Sequence, residues 1–176
     1  IMEGAMTQLK TVWQNPAEII RETRPEHPVM VFAPTVLQDT AKRFLKGFPG
    51  LVTYAVKSNP DETVIENLIA AGVTGFDVAS PAEIDLIGRL SPGAARHYHN
   101  PVRARWEIAH AVQAGIKAWS VDSHSELDKL IEMVPPEDCE ISPRFKLPVA
   151  GAIYDFGSKF GASPELAAEL LKRVAE

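Results

Sequence analysis

Leu51-Val-Thr-Tyr-Ala-Val-Lys57-Ser-Asn-Pro60 reads as a buried strand that runs directly into a helix start. Five of the six residues before Lys57 are apolar, with β-branched and aromatic members, the composition of a strand inside a parallel sheet. Asn59 as N-cap, Pro60 at N1 and Glu62 at N3 predict that a helix follows at once. Lys57 then sits where strand gives way to helix, on the face of a βα unit where sites are built. Lysine is rarely buried without a partner. At such a place it is a candidate amine nucleophile toward carbonyl compounds.

Working outward, the same unit recurs. Gly75–Ala79 reads as a strand, and Ser80-Pro-Ala-Glu83 as a capping box with Pro at N1. The helix Pro81–Leu90 places Ile84, Ile87 and Leu90 on one face. Arg96–His99 is a weaker strand, and Asn100-Pro101 opens a helix whose buried face is Trp106, Ile108, Ala109 and Val112, closed by Gly115 at C′. Lys117–Val121 is a strand followed by a second capping box, Ser123-His-Ser-Glu126, with Leu127, Leu130 and Ile131 at helical spacing. Glu140–Phe145 is a fifth strand candidate weakened by Pro143, and Ser163-Pro164 opens a last helix carrying Leu166, Leu170 and Val174. The caps at Asn59, Ser80, Asn100 and Ser123 recur at roughly 20–23 residues, the size of a βα unit with short loops. Strands joined by helices run parallel in one sheet. With no polar alternation read in the strands, the units indicate part of a (β/α)₈ barrel or a doubly wound sheet, and their near-equal lengths favour the barrel. Before them, Pro28–Phe32 is strand-like, Pro34–Gly47 helical, and Asn15-Pro-Ala-Glu18 starts a short capped helix.

Composition narrows the class. In 176 residues there are 18 basic and 23 acidic side chains, a formal charge of −5, and no basic block, which gives no support for nucleic-acid binding. No apolar run reaches the ~18 residues of a membrane span, and no signal-peptide pattern is present. The single cysteine, Cys139, excludes an internal disulfide framework and suits a reducing, cytoplasmic compartment. Its setting suggests a small residue entering a strand. Trp13, Trp106 and Trp119 read as packing residues.

The chain starts with Ile rather than Met, with Met6 following, so residues 1–5 read as a cloning remnant, 6–50 as a lead-in and 51–176 as barrel. A whole barrel takes about 250 residues. The segment from Leu51 onward holds five strands and five helices, so the sequence is expected to be a fragment or one part of a larger assembly.

Five motifs in order carry a family resemblance: Tyr54-Ala-Val-Lys57-Ser-Asn59; Gly75-Phe-Asp-Val-Ala-Ser80 with Glu83; Asn100-Pro101; Val121-Asp-Ser123 with Glu126-Leu127; and Lys159-Phe-Gly-Ala162. Together they make residues 28–176 resemble the fold-type III, pyridoxal-phosphate decarboxylases that act on ornithine, lysine, arginine or diaminopimelate. The Asn-Pro pair and the Lys-Phe-Gly-Ala run are most similar to the ornithine branch. The resemblance implies an alanine-racemase-like pyridoxal-phosphate barrel, with a C-terminal β domain that this chain lacks, and a homodimer. It implies that Lys57 carries pyridoxal 5′-phosphate as a Schiff base. Ala55 would leave room for the ring, and Asp77 and Arg144 would lie near the cofactor and pair with each other. Asp122 and Lys159 would contribute to the dimer interface. Ornithine to putrescine is the implied reaction, with diaminopimelate or lysine decarboxylation, or a barrel that binds the cofactor without catalysis, as alternatives. The fragment itself is expected to be inactive, because the family's phosphate loop, ring-stacking histidine and substrate-binding residues lie beyond residue 176.

Bland readings stand beside these. Asp77 could cap the helix after it, Arg144 could serve a structural ion pair, Asp122 could cap its own turn, and Lys159 could be an exposed loop lysine. The sequence departs from the family at His99, where relatives carry a small residue. His97 and His99 share a strand face, so a metal pair is conceivable. Without a third ligand they read as rim histidines, and no metal is expected.

Overall fold

The structure is a computed structural model that describes residues 12–137, 139–147 and 159–176. The chain divides into two units, Ile1–Ala33 and Pro34–Glu176. In the first, α1 (Pro16–Thr23) begins as expected, with the Asn15 side chain accepting from the Glu18 N–H at 2.9 Å. Pro28–Phe32 is not a strand. Its apolar side chains are exposed, Met30 at 96%. A strand needs a neighbour to take its backbone groups, and among the described residues this segment pairs with none.

In the second unit α2 (Pro34–Gly47) precedes an alternation of β1 (Thr53–Ala55), α3 (Glu62–Ala70), β2 (Gly75–Val78), α4 (Pro81–Leu90), β3 (Ala95–Tyr98), α5 (Arg105–Gln113), β4 (Ala118–Val121), α6 (His124–Met133), β5 (Glu140–Pro143) and α7 (Pro164–Ala175). The five strands are all parallel and lie in the order β1-β2-β3-β4-β5. A doubly wound sheet reverses its strand order at a switch point. This one advances one strand at a time, as a (β/α)₈ barrel does.

The register sorts the strand residues into two faces. Tyr54, Phe76 and Arg96 align on one, as do Val78, Tyr98, Trp119 and Ile141. Phe76, Tyr98 and Trp119 are fully buried there, in one core with Ile65, Ile84, Ile108 and Leu127 of the helices. The opposite face aligns Ala55, Asp77, His97, Ala118 and Glu140. The strands therefore do alternate, apolar toward the helices and small or polar away from them, contrary to the sequence reading. The interrupted pattern is short because each strand is three or four residues long.

Two of the four expected caps stand. Ser80 and Ser123 accept from the N–H groups of Glu83 and Glu126. The other two move downstream. The run after β1 makes a 3₁₀ turn, Val56–Ser58, and Asp61 rather than Asn59 caps α3, accepting from the Thr63 N–H at 2.8 Å. Asn59 instead accepts from the Asp61 N–H, as an Asx turn. Asn100 likewise stabilises a turn, and α5 starts at Arg105 with the Glu107 carboxylate reaching back to the Ala104 N–H at 2.6 Å. An Asx turn competes with a cap for the same side-chain oxygen, which is why both asparagines mislead. The later start of α5 turns Trp106 outward, 64% exposed, and leaves Ile108 and Ala111 as its buried residues. Ile131 of α6 is exposed as well. Gly115, at φ 77°, closes α5 at C′ as expected.

The residues between Tyr98 and α5 are held by Arg103, whose side chain is fully buried. Its guanidinium donates to the Ser120 carbonyl at 2.6 Å, the Tyr98 carbonyl at 3.4 Å and the Glu126 carboxylate at 3.4 Å. It lies over the Tyr98 and Trp119 rings at 5.3 and 5.5 Å. Burial pulls its pKa down and the Glu126 charge opposes the shift. Glu126 also accepts from the Arg103 N–H and pairs with Lys129. Thus Glu126, expected to complete a capping box, spends its carboxylate on Arg103. Glu126→Ala leaves the guanidinium buried without its anion and is expected to cost about 3–5 kcal/mol in a urea melt. Arg105→Ala, which breaks an exposed pair with Glu132, should leave the midpoint almost unmoved.

Candidate active site

Lys57 stands on the 3₁₀ turn, one residue beyond the buried Val56, and its side chain is exposed. The turn is closed by the Asn59 N–H donating to the Val56 carbonyl at 3.2 Å, and braced by the Tyr54 hydroxyl donating to the Asn59 carbonyl at 3.3 Å. Burial pushes the Tyr54 hydroxyl pKa up, with the backbone hydrogen bond acting the other way. The strand thus ends one residue earlier than the apolar run suggests, yet Lys57 still opens on the cavity with Ala55.

That cavity, of about 230 Å³, lies at the C-terminal ends of the strands and brings together residues distant in sequence. Ala55 comes from β1, Asp77 from β2, His99 from just past β3, Arg144 from just past β5, and Phe160 from the segment before α7. All four residues expected around the cofactor, Lys57, Ala55, Asp77 and Arg144, therefore share one pocket. Asp77 does not pair with Arg144. Its ion-pair partners are His99, with Nδ1 at 3.3 Å from Oδ1, and His97, with Nδ1 at 3.9 Å. The histidines win because β3 is the strand beside Asp77, with His97 in direct register, whereas Arg144 lies beyond β5. Burial raises the Asp77 pKa, but the neighbouring His99, then Thr53 and His97, outweigh it and hold the carboxyl below its ordinary value. The Arg144 guanidinium instead lies over the Phe160 ring at 5.5 Å.

The two residues expected at a dimer interface have roles or neighbours inside the chain. The Asp122 carboxylate accepts from the Gly161 N–H at 2.9 Å, tying the end of β4 to the segment that carries Phe160. Gly161 needs its freedom there: φ is 109°, and a Cβ would stand 3.1 Å from the Lys146 nitrogen. Lys159 is exposed at the start of that segment. Cys139 is half-buried just before β5, and burial pushes its thiol pKa up, which suits packing and not nucleophilic chemistry. Sequence reading missed His99 as a wall of the cavity, along with Phe160, Asn100 and Pro101. Only the pairing of β2 with β3, which sets β3 beside Asp77, brings His99 there, and spacing along the chain carries no signal of it.

Residues 35–176 match the pyridoxal-binding domain of the pyridoxal-dependent decarboxylases. The chain belongs to this family, and the cofactor of the domain is pyridoxal phosphate. It is 38% identical to the ornithine decarboxylase of Panagrellus redivivus over 70% of this chain and 28% of that protein. It is 34% identical to the lysine/ornithine decarboxylase of Selenomonas ruminantium, over 71% of this chain and 31% of that one. The crystal structure of lysine decarboxylase from Selenomonas ruminantium superposes with a TM-score of 0.77 at 25% identity, covering 94% of this chain and 44% of that chain. The chain thus spans about 30% of the length of these curated relatives.

The residues present fit the cofactor. An amine, a small residue beside it, a guanidinium and a carboxylate face one cavity large enough for an aromatic ring. Ala55→Leu fills that space from β1 and is expected to weaken pyridoxal phosphate binding about tenfold or more with the fold intact. Fluorescence titration together with a thermal melt checks both halves of the expectation.

Proposed function

We propose that the intact protein decarboxylates a basic amino acid with pyridoxal phosphate, and that its substrate is L-ornithine, yielding putrescine. The observation that carries this reading is the shared cavity of Lys57 and Asp77, inside a segment that matches the pyridoxal-binding domain. The ornithine choice is supported by relatives named ornithine decarboxylase from Panagrellus redivivus and Caenorhabditis elegans, each 38% identical over 125 residues.

Lys57 would hold the cofactor's aldehyde carbon through its amine. Bound pyridoxal phosphate supplies an electron sink for the carbanion left when carbon dioxide departs. Ala55 leaves the ring its space. Arg144 brings a positive charge to the far wall, seated over Phe160, where it can meet an anionic group of the cofactor or substrate. Asp77, held ionised by the two histidines, offers an acceptor on the near wall. Val56, buried beneath the turn, and the Tyr54–Asn59 hydrogen bond keep the Lys57 backbone fixed, so that only its side chain has to move.

The reading extends to the assembly. Residues 6–50 lead into a barrel part at 51–176, the 176 residues alone are inactive, and the intact protein is a cytoplasmic homodimer with Asp122 and Lys159 at its interface. Among the described residues, no helix is long and apolar enough to cross a membrane.

Borohydride reduction of the intact protein with its cofactor, followed by peptide mass analysis, is expected to find the cofactor mass on the Lys57 peptide. Lys57→Ala should lose both that mass and carbon dioxide release from labelled ornithine. Faster release from lysine or arginine would replace ornithine as substrate. A labelled peptide without release from any of them would make the protein a non-catalytic carrier.

A further inference from the structure

The cofactor reading uses Asp77 as an acceptor but assigns His97 and His99, which stand beside it, no ligand of their own. Asp77 and His97 are direct partners in the parallel ladder of β2 and β3, and His99 lies two residues further along the same face. Their ligating atoms all lie within 4.8 Å of one another. The third side chain that the histidine pair lacks in the sequence is therefore supplied by the neighbouring strand.

We infer that Asp77, His97 and His99 form a divalent transition-metal site, suited to Zn²⁺, on the wall of the Lys57 cavity. The distances support a tetrahedral ion. Zn–N and Zn–O arms of about 2.0–2.2 Å put neighbouring ligand atoms roughly 3.3–3.5 Å apart. Asp77 Oδ1 stands 3.3 Å from His99 Nδ1 and 3.9 Å from His97 Nδ1. Small side-chain rotations close the remainder without moving the strands. A second observation comes from the carboxylate itself. Asp77 Oδ1 is shut off from solvent and has no aligned hydrogen bond, although two imidazoles lie beside it. Burying such an oxygen unsatisfied is costly, and a metal ion facing it and both rings satisfies all three at once. Two imidazoles and one carboxylate are a borderline donor set, right for Zn²⁺ and too nitrogen-rich for Mg²⁺ or Ca²⁺. His99, with 42% of its side chain exposed, gives the ion an entry path. Three protein ligands leave a fourth position open toward the cavity.

The site shares Asp77 with the cofactor reading but does not depend on it. The test is titration of the intact protein, stripped with chelator, with Zn²⁺ alone by calorimetry, and with Co²⁺ alone by visible spectroscopy. The expected result is one ion per chain and a tetrahedral cobalt spectrum. His97→Gln and His99→Gln should each weaken binding by at least the 10–100-fold that even outer-shell losses cost. Lys57→Ala should leave metal binding unchanged while abolishing cofactor attachment, so the two readings fail separately. His99→Gln lies beyond the strand end, and an unchanged far-UV spectrum and melting midpoint for it exclude misfolding as the cause. Absence of stoichiometric Zn²⁺ binding, or binding that survives His99→Gln undiminished, overturns the site.

Discussion

The buried guanidinium of Arg103 is the constraint around which the site-bearing edge is arranged. A positive charge in the interior is tolerated only when its donors are used and its charge is met. Arg103 meets both demands with groups that the βα units bring to one place: carbonyls at the ends of β3 and β4, the carboxylate at the start of α6, and two aromatic faces between. Each contact is also a positional restraint. Together they hold the turn after β3, where Asn100 and Pro101 form part of the cavity wall, against the start of the next unit.

The cavity is a consequence of parallel pairing. Because every strand points the same way, the strand ends gather five separate turns at one edge of the sheet. Alternation then sends the large apolar residues to the helices and leaves Ala55, Asp77 and His97 on the other face. Ala55, Asp77 and His97 lie outside the helix-facing core, so the chemistry occupies a face that the core does not claim. Asp122 and Gly161 extend the same logic: their hydrogen bond, together with the backbone pairing of Ala162 with Arg144 and Lys146, brings Phe160, and with it the seat of Arg144, to the opposite wall.

Much of this was legible residue by residue. The apolar faces of α4 and α7, Leu127 and Leu130 of α6, and the caps at Asn15, Ser80 and Ser123 follow from local rules that act within one turn of helix. The pocket was legible through Lys57 and its motif neighbours. What failed locally did so for one kind of reason. Asn59 and Asn100 carry the right oxygen for a cap but use it in an Asx turn. Glu126 sits at the right offset for a capping box, but a buried cation claims it. Pro28–Phe32 has strand composition and no strand to pair with. In each case the side chain's chemistry was read correctly and its partner was not.

The sequence by itself determined the alternation of strand and helix, the parallel class of the sheet, and the family that Tyr54-Ala-Val-Lys57 and Gly75-Phe-Asp-Val-Ala-Ser80 define, because these depend on composition and spacing along the chain. Tertiary structure alone decided which charges meet. Asp77 faces His97 and His99 and not Arg144, since pairing across strands is governed by sheet order and register, and neither is encoded in the spacing of any one segment.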